Sequence, residues 1–170
     1  MIRTFIVAAS VIGLSHAFAV TSDEMPDDNM RTTFKKIEAL VGAEFDYKFS
    51  NDCPDVAISI PRGRIWVNPA IWLRADGYGR FFWLLHEMGH HQLGHLSDAG
   101  QVAGFTQPWL RPRMELDADK FAIEKMLESG LVKDKIEAMA RKIFRGNPGD
   151  ATHPSGVVRL QKILETIEAN

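Results

Sequence analysis

The chain has one cysteine in 170 residues, no apolar run long enough to span a bilayer, no internal repeat and no surplus of positive charge. A lone thiol, Cys53, excludes an internal disulfide framework and any thiolate-rich metal site within one chain. Without roughly 18 consecutive uncharged apolar residues there is no transmembrane helix. Lys+Arg 20 against Asp+Glu 22 gives a formal net charge of −2, which argues against nucleic-acid binding through bulk positive potential. What remains is ordinary globular composition, 45% hydrophobic and 25% charged. That suffices for one domain with a sizeable core and hardly for two.

The first nineteen residues read as an export signal. Arg3 supplies a positive start, Phe5 to Leu14 a short apolar run, and Ala17-Phe18-Ala19 the small-residue cleavage pattern. Cleavage after Ala19 would leave an exported protein, periplasmic or secreted, with no membrane anchor. Residues 20–29 are acidic and contain Pro26, so they read as a mobile leader. Residues 30–170 then form a single domain.

Apolar spacing predicts a helix from Asp28, with Phe34, Ile37, Leu40 and Val41 on one stripe and Gly42 as its stop. Phe45 to Phe49 alternates as a strand, and Val56–Ile60 and Arg64–Asn68 flank Pro61-Arg62-Gly63 as a hairpin. Gly79–Leu93 is a long helix, residues 94–112 a loop, and Met114–Glu128, Val132–Phe144 and Ser155–Glu168 three further helices. The expected fold class is α+β. A small antiparallel sheet packs on an active-site helix, and the C-terminal half is mostly helical.

Four histidines fall within ten residues: His86, His90, His91 and His95. His86-Glu87-Met88-Gly89-His90 is an H-E-x-x-H pattern, and residues four apart on a helix share a face. His86 and His90 can therefore offer imidazole nitrogens to one point. Glu87 sits beside that point, placed to take a proton from a water there. Two imidazoles plus a carboxylate suit one zinc ion and leave a fourth position for that water.

The third ligand must come from elsewhere. His95 lies about 140° round a continuing helix from His90, facing away; it and His91 read as exposed or capping histidines. Glu115-Leu116-Asp117-Ala118-Asp119 offers a better donor. Glu115 and Asp119 share a face, so Glu115 can bind the metal while Asp119 accepts the other ring N–H of a ligating histidine. Ala118 is small where this helix presses on the first. His153, before Pro154, is either an incidental residue at a helix start capped by Thr152 or a catalytic donor to the oxyanion of a tetrahedral intermediate.

These motifs in this order, with the later Thr152-His153-Pro154 and Arg159, resemble the HtpX-like and CAAX-prenyl-protease-like zinc metallopeptidases of gluzincin type. The resemblance implies that His86, His90 and Glu115 bind zinc, that Glu87 is the catalytic base and acid, that Asp119 supports a ligand, and that His153 lies near the site. It also implies a peptide or protein substrate. Larger relatives carry transmembrane helices or long extensions, so this chain reads as a minimal exported version acting on cell-envelope proteins. Arg64–Asn68 is a candidate sheet edge on which an extended substrate strand could pair. Two alternatives stand beside the metalloendopeptidase. One is a non-proteolytic zinc-binding chaperone or assembly factor of the same fold; the other is a regulatory peptidase with a single substrate.

Overall fold

The computed structural model describes residues 21–22 and 28–170. The expected signal, residues 1–19, lies outside them. Within the expected leader, Thr21–Ser22 form a short strand β1, and helix α1 begins at Asp28 (Asp28–Val41).

Aromatic packing fixes the sheet to α1. On strand β2 (Asp46–Ser50) the inward residues Tyr47 and Phe49 meet Phe34 of α1 at ring-centroid distances of 4.7 and 6.1 Å. Glu38 accepts from the Tyr47 hydroxyl and the Phe45 amide, locking the turn between helix and strand. Trp72, on a short helix α2 (Pro69–Arg74), closes the cluster at 4.8 Å from Phe34. Helix α2 was not expected. Its cue is Asn68-Pro69: Asn68 caps it by accepting from Ile71 N, and Pro69 opens its first turn.

Strands β3 (Ala57–Ile60) and β4 (Arg64–Val67) form the expected antiparallel hairpin, while β2 pairs parallel with β4. The sheet is therefore mixed, in the order β1-β2-β4-β3. This corrects one expectation: β4 has partners on both sides, so residues 64–68 cannot receive a substrate strand. Among the described residues the edge strands are β1 and β3, and β3 is the one beside α3.

Helix α3 (Gly77–Gln92) carries the H-E-x-x-H residues. Asp76 caps its start by accepting from Gly79 N at 2.8 Å. Gly94, at φ +73°, ends it: Gly94 N donates to His91 O and His95 N to His90 O. This paired closure is the glycine-terminated C-cap, in which the residue after the glycine folds back on the last turn. The expected loop at 94–112 is instead largely helical. Helix α4 (Asp98–Thr106) is capped by Ser97, and α5 (Leu110–Glu128) admits Pro112 within its first turn, where a missing N–H costs nothing. Helices α6 (Lys133–Ile143) and α7 (Gly156–Ala169) complete the chain. Ser155, not Thr152, occupies the N-cap position of α7.

The α3–α5 contact is the heart of the fold. Ala118 is fully buried against α3, and a methyl group added to Gly89 would lie 3.0 Å from Phe121 and 3.4 Å from the Ala118 Cα. Two small residues thus let the helices approach closely enough for side chains of one to reach those of the other. No helix among the described residues is long and apolar enough to cross a membrane.

Candidate metal centre

His86 and His90, one turn apart on α3, aim their Nε2 atoms at a common point and lie 3.2 Å from each other. From α5, Glu115 places Oε2 3.2 Å from His86 Nε2 and Oε1 3.4 Å from His90 Nε2. Among the described residues these three form the one group of such donors able to hold a metal ion. Ligands at about 2.0–2.1 Å in a tetrahedral site stand about 3.3 Å apart, so the spacing fits a small tetrahedral cation. The chemistry fits as well, because two imidazole nitrogens facing each other beside a carboxylate form a divalent-ion donor set.

The charges are mutually adjusted. Burial alone would lower the His86 pKa; Asp119 and Glu115 outweigh it and push it up to about 10. Burial would raise Glu115, but His86 and His90 hold its carboxyl far below the usual carboxylate range.

Each candidate ligand ring has a backing group on its other nitrogen. His86 Nδ1 lies 2.9 Å from Asp119 Oδ1, a contact too bent for a well-aligned hydrogen bond. Asp119 is fully buried and gripped by both ends of the Arg159 guanidinium, Nε at 2.7 Å and Nη2 at 2.5 Å. Arg159 comes from α7 and stacks on Phe144 at 4.5 Å and Trp83 at 5.8 Å. Arg159 entered the sequence reading only as part of a motif, yet it supplies the counter-charge that lets Asp119 remain buried.

His90 is backed by His95, with their Nδ1 atoms 3.1 Å apart. This corrects the expectation that His95 faces away. A helical wheel assumes the helix continues, whereas Gly94 breaks it and turns His95 back onto the final turn. Burial first, and the adjacent His90 second, push the His95 pKa down to about 4, so its ring is a neutral acceptor. His91 points elsewhere, its Nε2 3.0 Å from the Arg64 carbonyl.

Glu87 lies beside the donors, with Oε1 4.0 Å from His86 Nε2. Its Oε2 accepts from the Ser59 amide at 2.6 Å and from the Ser59 hydroxyl. Nothing in the sequence pattern marked Ser59, since its partner is 28 positions away and pairs with it only once β3 packs on α3. His153 also reaches the site, Nε2 3.9 Å from Glu115 Oε2. It is held there from behind: Asp150 lies 3.1 Å from His153 Nδ1, and Thr152 Oγ1 lies 2.8 Å from it. Thr152 and His153 donate to Asp150, keeping its carboxyl well below the ordinary range. Thr152 thus orders the His153 loop instead of capping a helix. Cys53, ahead of β3, is buried and donates to Asp55 O at 3.3 Å.

These groups open into a cavity of about 610 Å³, walled by β3 on one side and the 147–153 loop on the other. An α+β domain with two histidines and a glutamate converging at the floor of a cleft, and a second glutamate beside them, has the parts of a hydrolytic centre. Residues 78–170 match the family Peptidase U49, and the chain belongs to it. It is a peptidase. No curated protein matches the chain. The matched span contains His86, His90, Glu87, Glu115, Asp119, His153 and Arg159, but none of the β-sheet. The match carries the peptidase class.

Proposed function

We propose that the protein is a zinc-dependent metalloendopeptidase of gluzincin type, akin to the HtpX-like enzymes, exported to act on proteins of the cell envelope. One observation carries this reading: three donors from α3 and α5 spaced as the corner atoms of a tetrahedral site, with Glu87 at its side. Three protein ligands leave one position open, which suits a catalytic site better than a structural one. When bound, zinc supplies Lewis-acid polarisation of the scissile carbonyl and acidifies a water.

The residues do the rest. Glu87 Oε1, the oxygen not held by Ser59, takes the proton of the attacking water and passes it to the leaving amide nitrogen. His153 donates from Nε2 to the developing oxyanion. Asp119 and Arg159 keep the His86 ring in place. The substrate lies along β3, whose edge beside Ala57 and Ser59 faces the cleft, and adds to it as an extended strand.

The decisive experiment uses the exported chain loaded with zinc and a casein or envelope-protein digest, with and without chelator. Glu87→Gln should keep one zinc per chain and lose at least about 100-fold in kcat, the low end for removing a general base. Full cleavage by that variant, or chelator-resistant cleavage by the wild type, would overturn the proposal.

A further inference from the structure

We propose that Ser59 is the positioning residue for the Glu87 carboxylate, an inference that rests on Glu87 being the base. Ser59 sits on β3, outside the span that matches the peptidase family, and reaches Glu87 three ways. Its amide donates to Oε2 at 2.6 Å, and its hydroxyl faces both Oε2 and, at 2.8 Å, the Glu87 backbone carbonyl. A carboxylate on a two-bond stem can rotate freely unless something holds one oxygen. With Oε2 taken by two donors from a sheet strand, only Oε1 is left to face the metal point, where it lies 4.0 Å from His86 Nε2.

The geometry also explains why a strand performs this task. The Asn68 amide donates to the Val56 carbonyl, so Val56 and, by alternation along an antiparallel pair, Ile58 turn their backbone groups toward β4. Ala57 and Ser59 turn theirs outward to the cleft. The Ser59 amide is consumed by Glu87, and the Ser59 carbonyl and the Ala57 backbone lie on the same side of the strand, along the wall of the cleft. The three-residue stretch Ala57–Ser59 therefore sets the base and is placed to register the peptide. Catalytic geometry and substrate register are fixed by the same backbone, and a shift of either by about 1 Å is costly.

Replacing Ser59 removes the hydroxyl and spares the amide. In the zinc-loaded chain, Ser59→Ala should lower kcat about 10-fold, with KM within about twofold and zinc affinity unchanged, because the ligands are untouched. Ser59→Thr keeps the hydroxyl on a strand-compatible side chain and should restore most of kcat. A second readout does not depend on hydrolysis: unfolding midpoints of the apoprotein for Ser59→Ala, Glu87→Ala and the double variant. Non-additive midpoints support the pairing, and additive ones overturn it. Wild-type kcat in Ser59→Ala, or failure of Ser59→Thr to recover it, overturns the positioning role as well. If the wild type cleaves nothing, the metallopeptidase reading fails, and the midpoints alone then judge the Ser59–Glu87 pairing.

Discussion

The Nδ1 atoms of His90 and His95 lie 3.1 Å apart, so one candidate ligand is backed by a neutral imidazole while the other, His86, is backed by a buried carboxylate. With His90 Nε2 turned to the metal point, its Nδ1 carries the proton and donates to His95. Groups that orient a ligating ring in this way are typically worth about 10–100-fold in metal affinity. His95→Ala should weaken zinc binding by that order in a competitive chelator titration, with Asn, another acceptor, recovering part of it. Unaltered affinity in His95→Ala would show that the contact orients nothing.

Removing a ligand has a different signature. Glu115→Ala should abolish stoichiometric zinc, and with it the rise in Tm that saturating zinc gives the wild type. That rise is about 2.7 kcal/mol of stabilisation at a hundredfold excess over Kd. Differential scanning fluorimetry with and without zinc reads the difference. An undiminished zinc-dependent rise in Glu115→Ala would remove it from the ligand set.

The Asp119–Arg159 pair predicts a stability effect independent of metal. Arg159→Met keeps much of the side-chain volume but strands a buried carboxylate. Breaking a buried pair from one side costs about 3–5 kcal/mol, readable by urea denaturation of the apoprotein. A loss below about 1 kcal/mol would mean that the pair is solvated in solution.

The apoprotein should also lose stability on the alkaline side. His86 is raised in the folded state by its carboxylate neighbours. Its contribution is complete below the unfolded histidine value near about 6.5 and is lost as pH climbs toward about 10. Glu115, held low, contributes fully above the unfolded glutamate value near about 4.3, and that share is lost only on strong acidification. Tm measured in chelator should therefore fall between neutral pH and pH about 10, whereas His86→Asn should flatten that limb. Zinc affinity should rise over the same interval, because binding must displace the His86 proton.

What the sequence made legible is what local spacing determines. His86 and His90 share a face because four residues make one turn, and Glu115 and Asp119 do so for the same reason. Their convergence required only that two amphipathic helices meet, and Ala118 marked where; that Gly89 faces it emerges from the packing. The helical wheel failed at His95, because one glycine at positive φ ended the periodicity it assumes. Placing β4 at an edge failed for another reason. Adjacent strands do form the expected hairpin, but which of them faces outward depends on where β2 inserts, and pairing across that distance leaves no local trace. Ser59 was invisible on the same grounds. The helix hidden in residues 94–112 has weak amphipathicity and two glycines, so composition read it as a connection. Part of it remains unexplained by packing: Phe105 is 79% exposed and Trp109 63%.

The grip of Arg159 on Asp119 has a consequence for how the protein can be switched off. That arginine is supplied by α7, whereas every candidate ligand precedes it by forty residues or more of sequence. A cut in the exposed turn ahead of α7 would spare the whole donor set and still unseat it. Helix α7 thus acts as a keystone, holding from outside the donor set the carboxylate that stands behind His86.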